Sequence, residues 1–131
     1  MKNKLICIID DDPIYQILVN KIIAKSNCDY SVLSFNNGME AIESLNARIQ
    51  SNESLPEIIL LDLQMPVMDG WDFMNKIKKD LRKETEGIAI YLVSSSISYE
   101  DKEKAKSFPE ILGFFSKPIT GDRILEITKK N

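Results

Sequence analysis

Apolar and polar residues alternate in blocks along this chain of 131 residues. The first predicted strand, KLICII, is a short continuous apolar run of the kind that a strand buried on both faces shows, and further short strand-like runs follow along the chain. Between them lie longer segments in which apolar residues recur every three or four positions, which is the spacing of an amphipathic helix. The runs predicted to be strands are KLICII (4–9), YSVLSF (30–35), EIILLD (57–62), GIAIYLVS (87–94) and ILGFFS (111–116).

Five helices are predicted, one after each strand. Asp12 is well placed as the N-cap of the first helix, because the following Pro13 suits the first helical turn. Ser98, with Asp101 three residues later, resembles a capping box at the start of a fourth helix that is polar and weakly anchored. The predicted helices are 13–27, ending near Asn27, then 36–49, about 71–83, the segment after Ser98 and the segment after Thr120.

The strict alternation of strands and helices indicates an α/β fold. We expect one doubly wound, five-stranded parallel sheet with five helices covering both of its faces. The apolar positions at helical spacing are Ile14, Ile17, Leu18, Ile22 and Ile23 in the first helix, Met39, Ile42, Leu45 and Ile49 in the second, and Phe73, Met74, Ile77 and Leu81 in the third.

Length and composition limit the class of protein. The chain suits a single domain, and 44% hydrophobic residues are enough for one packed core. Seventeen basic against twenty acidic residues give a net charge of −3, which offers no general attraction to nucleic acid or anionic membranes. The start of the chain lacks a signal peptide, and no apolar run approaches the roughly 20 residues that span a bilayer. We therefore expect a cytoplasmic protein with no direct nucleic-acid or membrane partner.

Histidine is absent, and there are two cysteines. The absence of histidine excludes histidine-based acid–base catalysis and histidine-ligated metal sites. Cys7 and Cys28 lack the spacing of a metal site or a redox motif, so we expect both to be ordinary reduced thiols.

Polar side chains follow four of the predicted strands. Asp10 and Asp11 follow the first strand, Asp62 ends the third, Ser94 ends the fourth and Lys117 follows the fifth. The carboxyl ends of parallel strands meet at one edge of the sheet, where ligands bind, so these side chains should form one site. Clustered carboxylates without histidine or cysteine suit Mg²⁺, which would also offset the repulsion between adjacent carboxylates.

A carboxylate in such a site can act as a nucleophile toward a phosphoryl donor and form an aspartyl phosphate. The charge on the transferred phosphoryl oxygens requires stabilisation from several sides. Mg²⁺, the Lys117 ammonium and the Ser94 hydroxyl could supply it. Asp12 could be a further metal ligand, although its position before Pro13 favours the N-cap.

Four segments together, IIDDDP, IILLDLQMPVMDGWDF, IYLVSSS and GFFSKP, resemble the receiver domain of two-component response regulators. Their order and spacing match that family from residue 4 to residue 129. The resemblance implies the flavodoxin-like strand order 2-1-3-4-5. It also implies a signalling switch that accepts a phosphoryl group, rather than an enzyme that turns over a separate substrate.

The resemblance implies a role for each site residue. Asp10 and Asp11 match the acidic pair that organises Mg²⁺, and Asp62 matches the phosphorylated aspartate, which also contacts the metal. The backbone carbonyl of Gln64 falls where the family supplies another metal ligand. Lys117 matches the conserved lysine, which is usually followed by a cis peptide bond to proline.

Two further positions match the family's switch. Ser94 lies at the conserved hydroxyl position, where threonine is usual, and Phe114 lies at the aromatic position. In the family, the hydroxyl moves toward the phosphoryl group and the aromatic ring turns inward. This remodels the face formed by the fourth helix, the fifth strand and the fifth helix. Between Ser94 and Lys117 the spacing is about one residue longer than in chemotaxis-type members, which affects the shape of that face.

The implied partners are a sensor histidine kinase or phosphotransfer protein as donor, and a downstream protein that binds this face. Few residues follow the last predicted helix, so we expect residues 1–131 to be a single receiver domain with no output domain. Trp71 is interpreted as a packing aromatic that could contact a partner.

Two other functions are compatible with parts of the sequence. One is a small Mg²⁺-dependent phosphatase of the haloacid dehalogenase type, in which Asp10 and Asp12 would supply the nucleophile and the acid–base group. Loss of turnover in Asp10→Asn but not in Asp62→Asn would favour it. The other is a binding module, either a flavodoxin-like flavoprotein or a receiver that no longer accepts phosphate. The acidic loop disfavours a flavin phosphate, and no receiver site residue is missing.

Overall fold

A five-stranded parallel sheet forms the centre of the protein, which we describe from a computed structural model over residues 4–26 and 28–130. The strand order is β2-β1-β3-β4-β5, and every neighbouring pair is parallel. The order that the resemblance implies is therefore confirmed. The strands are β1 (Lys4–Ile9), β2 (Tyr30–Phe35), β3 (Ile58–Asp62), β4 (Ala89–Ser94) and β5 (Ile111–Ser116).

Six helices connect and follow the strands in the described part of the chain. The prediction of five missed a short helix, because the predicted third helix is divided at Leu81, where φ is −128°. The predicted end of the first helix near Asn27 lies outside the described residues. The helices are α1 (Pro13–Lys25), α2 (Gly38–Gln50), α3 (Gly70–Asp80), α4 (Arg82–Thr85), α5 (Tyr99–Ala105) and α6 (Gly121–Lys130). The predicted fourth and fifth helices are thus α5 and α6.

No helix within the described ranges combines the length and the apolar character that a membrane-crossing segment requires.

The sheet has a buried cluster of side chains on each of its two faces. Successive side chains of a strand point to opposite faces, so each strand contributes to both clusters. On one side, Cys7 and Ile9 of β1 pack with α2 and α3, and we call this cluster the α2–α3 core. On the other side, Ile6 and Ile8 pack with α1 and α6, and we call this cluster the α1–α6 core. The residues predicted to face the core from the third helix are all buried: Phe73, Met74, Ile77 and Leu81.

The predicted apolar face of α1 is wrong in part. Ile14, Ile17 and Leu18 are 77%, 58% and 42% exposed, whereas Ile23 is buried as predicted and Ile22 is partly buried. The other residues that α1 buries, which the prediction did not include, are Tyr15, Gln16 and Val19. Apolar residues surround most of this helix, so periodicity alone allowed more than one buried face. Met39 at the start of α2 is likewise 42% exposed, whereas Ile42 and Leu45 are buried as predicted.

Side-chain caps determine where the helices near the carboxyl edge of the sheet begin. The Asp12 carboxylate accepts hydrogen bonds from the backbone N–H groups of Ile14 and Tyr15, which confirms it as the N-cap of α1. Ser98 and Asp101 form the predicted capping box of α5. Asp69 forms a second capping box, at the start of α3. These caps satisfy helix donors that would otherwise have no partner.

A bulge interrupts the ladder between β4 and β5. Ile90 pairs with Ile111, but the next residue, Tyr91, pairs with Gly113, so Leu112 is the extra residue. Leu112 is 59% exposed. The bulge accommodates one additional residue in β5, between Ile111 and Gly113.

Candidate functional site at the carboxyl edge of the sheet

Three carboxylates meet where β1 and β3 end. One oxygen from each of Asp10, Asp11 and Asp62 lies within 4.8 Å of the other two. Asp10 and Asp62 are only 1% and 4% exposed, whereas Asp11 is exposed. The sequence prediction that these residues share one edge of the sheet is therefore confirmed in geometry. An all-oxygen, anionic set of this kind fits the ligand preference of Mg²⁺.

The backbone around Asp10 is held by several hydrogen bonds. Its N–H donates to the Phe35 carbonyl at 3.1 Å, and its carboxylate accepts from the Asp12 N–H at 2.9 Å. The buried Gln16 side chain donates from Nε2 to the carbonyls of Asp10 and Phe35 at 3.1 and 2.9 Å, and to Ile8 at 3.4 Å. Gln16 thus joins the ends of β1 and β2 from α1.

Asp62 is the last residue of β3, and its two carboxylate oxygens have different partners. Oδ1 accepts a hydrogen bond from the Gln64 N–H at 3.2 Å, and Oδ2 lies 3.2 Å from Lys117 Nζ. Burial, followed by the charge of Asp10, raises the pKa of Asp62, although the bonds from Gln64 and Lys117 act in the opposite direction. The surroundings therefore disfavour the ionised form.

Lys117 bridges the two buried carboxylates. Its Nζ is 2.7 Å from Asp10 Oδ2 and 3.2 Å from Asp62 Oδ2, and its side chain is 19% exposed. Burial acts to lower the pKa of Lys117, but the hydrogen bond and charge of Asp10, together with Asp62, outweigh it and raise that pKa. The peptide bond to Pro118 is cis, as the resemblance implies. Two buried carboxylates share a single ammonium, so the site carries excess negative charge.

Tyr15 of α1 lies against Lys117. The Lys117 ammonium is 4.6 Å from the centroid of the Tyr15 ring, and the phenolic oxygen accepts a hydrogen bond from the Ile119 N–H at 3.4 Å. Burial raises the pKa of the Tyr15 phenol, so the phenol stays neutral at physiological pH.

Ser94 is buried at the end of β4, and its hydroxyl is engaged within its own loop. Oγ donates to the Ser96 carbonyl at 3.1 Å and accepts from the Ser96 N–H at 3.3 Å. The Ser94 carbonyl accepts from the Lys117 N–H at 3.1 Å, which joins the ends of β4 and β5. Phe114 is partly buried against the α2–α3 core. A cavity of about 370 Å³ runs from Phe114 along the loop to Thr120 and Arg123.

Trp71, at the start of α3, connects α3 to α5. Its indole N–H donates to Asp101 Oδ1 at 3.1 Å, and its ring stacks on Phe108 with centroids 5.9 Å apart. Lys104 lies over the indole, 5.6 Å from the ring centroid. α5 itself buries only Ala105, so this contact is a main attachment of a helix that the sequence predicts to be weakly anchored.

Three residues near the site were not predicted from sequence to serve it. Gly70 lies in a segment for which the sequence predicts no contact with the site, but a Cβ there would lie 2.8 Å from the Asp62 carbonyl oxygen. Tyr15 and Gln16 carried no signal beyond their place in an apolar helix. Each acts on a residue that is distant in sequence or on the backbone, so spacing alone could not identify them.

The alternative use of Asp12 as an acid–base group finds no support in the structure. Its carboxylate is exposed and accepts the hydrogen bonds that cap α1. Asp62, in contrast, is buried beside Asp10 and faces Lys117. The geometry therefore favours a site that uses the carboxylates of two neighbouring strands.

Comparisons with known proteins agree with this geometry. The family model of the response regulator receiver domain matches residues 6–129. Hybrid signal transduction histidine kinase L of Dictyostelium discoideum is 32% identical over 127 residues, which are 95% of this chain but 7% of that protein. Sporulation initiation phosphotransferase F of Bacillus subtilis is 26% identical over 130 residues, which cover 99% of this chain and 94% of that protein. The chain thus spans a small part of the first relative and most of the second.

A solved structure of a response regulator is also similar to this chain. The two-component response regulator from Cytophaga hutchinsonii superimposes with a TM-score of 0.89 at 28% identity, covering 99% of this chain and 97% of that one. The match of the family model extends over nearly all of the chain and includes the three clustered carboxylates. This chain belongs to the family of response regulator receiver domains.

Proposed function

We propose that the chain accepts a phosphoryl group on Asp62 in a Mg²⁺-dependent reaction, and that the modified protein changes its contacts with other proteins. The donor is a sensor histidine kinase or a phosphotransfer protein. The chain catalyses only its own phosphorylation and dephosphorylation. The observation that carries the proposal is the cluster of Asp10, Asp11 and Asp62 within 4.8 Å, with Lys117 reaching two of them.

The residues present fit a magnesium ion. Asp10, Asp11, Asp62 and the backbone carbonyl of Gln64 would hold it, and all four offer hard oxygen atoms. When bound, the ion supplies positive charge to the carboxylates and to the oxygens of the transferred group. The excess negative charge of the site, with two buried carboxylates for one ammonium, supports this assignment.

The residues of the chain account for the transfer. An oxygen of Asp62 attacks phosphorus, and the bond from phosphorus to the donor nitrogen or oxygen breaks, with its electron pair leaving on the donor. Lys117 lies within reach of Asp62 to stabilise the charge on the phosphoryl oxygens. The Ser94 hydroxyl, which now bonds within its own loop, would turn toward the phosphoryl group.

The switch acts on the face formed by α5, β5 and α6, where the downstream protein binds. Phe114 is partly buried, and it lines a cavity of about 340 Å³ together with Lys102 and Ala105 of α5, so open space lies beside it on this face. The exposed side chains of Tyr99 and Leu112 add apolar surface on α5 and β5. Amide chemical shifts of phosphorylated protein should change at Phe114 and along this face. Shifts confined to the surroundings of Asp62 would contradict the switch.

Intact mass after incubation with acetyl phosphate tests the acceptor chemistry. One added phosphoryl group is expected in the wild type, with dependence on Mg²⁺ and with loss of the adduct in Asp62→Ala. Asp80→Ala is the matched control, because Asp80 is an exposed carboxylate paired with Lys76 at the far end of α3. Addition that persists in Asp62→Ala, or that is absent from folded wild type with both acetyl phosphate and phosphoramidate, would contradict the proposal.

A further inference from the structure

Tyr15 occupies an unusual position between three elements. It lies in the first turn of α1 and is 9% exposed. Its ring belongs to the α1–α6 core, while its hydroxyl accepts a hydrogen bond from the Ile119 N–H in the loop before α6. One face of the ring is directed at the Lys117 ammonium, 4.6 Å from the ring centroid. The residue therefore contacts both the side chain of Lys117 and the loop that carries it.

We propose that Tyr15 is a positioning residue for Lys117, and that its ring holds the ammonium where it can meet the phosphoryl group on Asp62. The inference rests on the proposed function. An aromatic face attracts a cation through its quadrupole, and the attraction increases where water is excluded. The side chain of Lys117 is 19% exposed, so this contact is largely desolvated.

The ring is an uncharged partner, which distinguishes it from the two carboxylates. Lys117 now pairs with Asp10 at 2.7 Å and with Asp62 at 3.2 Å. Both carboxylates are proposed metal ligands, so their charge is shared once a cation binds. The Tyr15 ring stays available to the ammonium in either condition, because it has no part in the metal site.

The Tyr15 hydroxyl contacts the backbone after Lys117, whereas the ring contacts the ammonium. The hydroxyl fixes the backbone at Ile119, two residues after Lys117, through the 3.4 Å hydrogen bond. Removing the hydroxyl alone leaves the cation–ring contact intact, whereas removing the ring eliminates both contacts. Tyr15→Phe and Tyr15→Leu therefore separate the two contributions, and both substitutes are apolar residues suited to a buried position.

Phosphorylation kinetics with acetyl phosphate and Mg²⁺ provide the first measurement. Tyr15→Leu should lower the maximal rate of phosphorylation by about 3- to 30-fold, the range expected for loss of one partly desolvated cation–π contact. The Mg²⁺ concentration at half-saturation should change little. Tyr15→Phe should recover most of the rate lost in Tyr15→Leu. In a Lys117→Ala background, Tyr15→Leu should cause no further loss, because the two residues act through one contact.

NMR provides a second measurement that does not require phosphorylation. The Cε protons of Lys117 are next to the ammonium that lies over the ring, so they should resonate upfield of those of other lysines in wild type and in Tyr15→Phe. The upfield shift should disappear in Tyr15→Leu, and it should persist when Mg²⁺ is added to wild type. Circular dichroism confirms that each variant is folded, and Tyr15→Met replaces Tyr15→Leu if the latter does not fold.

The two measurements separate the failure of this inference from failure of the proposed function. An upfield shift in a wild type that accepts no phosphoryl group would leave the contact established and contradict only the acceptor chemistry. Normal phosphorylation of folded Tyr15→Leu, or a Lys117 Cε signal at the ordinary position in wild type with Mg²⁺, would overturn the positioning role.

Discussion

Replacing Gly70 by alanine should damage both the stability of the fold and the proposed acceptor site. Gly70 is the first residue of α3, and its N–H donates to the Leu63 carbonyl at 3.0 Å. An added Cβ would lie 2.8 Å from the Asp62 carbonyl oxygen and 2.9 Å from both Cα and Cδ2 of Leu63. Two of these three atoms belong to the backbone, so they cannot move aside by a change of rotamer.

The size of the effect follows from these distances. Ordinary van der Waals contact begins near 3.4 Å, so the start of α3 and the end of β3 must separate by about half an ångström. Overpacking of this kind in a buried position costs about 1–3 kcal/mol of unfolding free energy. The same displacement moves the backbone of Asp62, so the affinity for Mg²⁺ should also fall.

Urea denaturation followed by circular dichroism gives the unfolding free energy of each variant. Gly87→Ala is the matched control, because no atom beyond its two chain neighbours lies within 4 Å of a Cβ at Gly87 and its φ is not positive. That substitution should be neutral or should stabilise the protein by up to about 1 kcal/mol, since it restricts the unfolded chain. Equal stability and equal Mg²⁺ affinity in Gly70→Ala and Gly87→Ala would refute the reasoning.

Three further predictions follow from described contacts. Burial and the charge of Asp10 raise the pKa of Asp62, so its ionised form destabilises the fold at neutral pH. Asp62→Asn should therefore raise the unfolding free energy at pH 7 in metal-free buffer, and the gain should vanish below the unfolded pKa near 3.9; an equal gain at every pH would contradict this origin. Trp71→Phe removes the hydrogen bond to Asp101 and should cost about 0.5–1.5 kcal/mol in urea denaturation, with no effect expected if the bond is absent in solution. Burial raises the pKa of the Cys7 thiol, so a thiol reagent should modify Cys28 in the native protein and Cys7 only after unfolding.

The sheet and most of the site could be predicted from the sequence because parallel strands end at one edge. The strands β1, β3 and β4 are nearly continuous apolar runs, so their ends could be located within one or two residues. Asp10, Asp62, Ser94 and Lys117 lie at or just after the ends of strands, and the fold then brings them together irrespective of their separation in sequence. The strand topology alone brings these residues to one edge of the sheet, whichever way the side chains of the core pack.

The features that the sequence did not reveal depend on contacts between elements. The buried face of α1 is selected by the sheet, and Ile14 and Ile17 fit the apolar period as well as the buried Val19 does. The contact of Tyr15 with Lys117 and the close approach of Gly70 to Asp62 each join two elements. The spacing of apolar residues within one helix or strand carries no information about which residue of another element it will contact.

Because of the bulge in β5, the number of residues in this strand can change without changing which of the later side chains face each side of the sheet. In a regular strand, one inserted residue would exchange the inward and outward sets, and Phe114 and Phe115 would change sides. Because Leu112 absorbs the extra position, Phe114 still faces the α2–α3 core and Phe115 still faces the α1–α6 core. A residue can therefore be gained or lost at this point while the residues that follow, Lys117 among them, keep their register with β4.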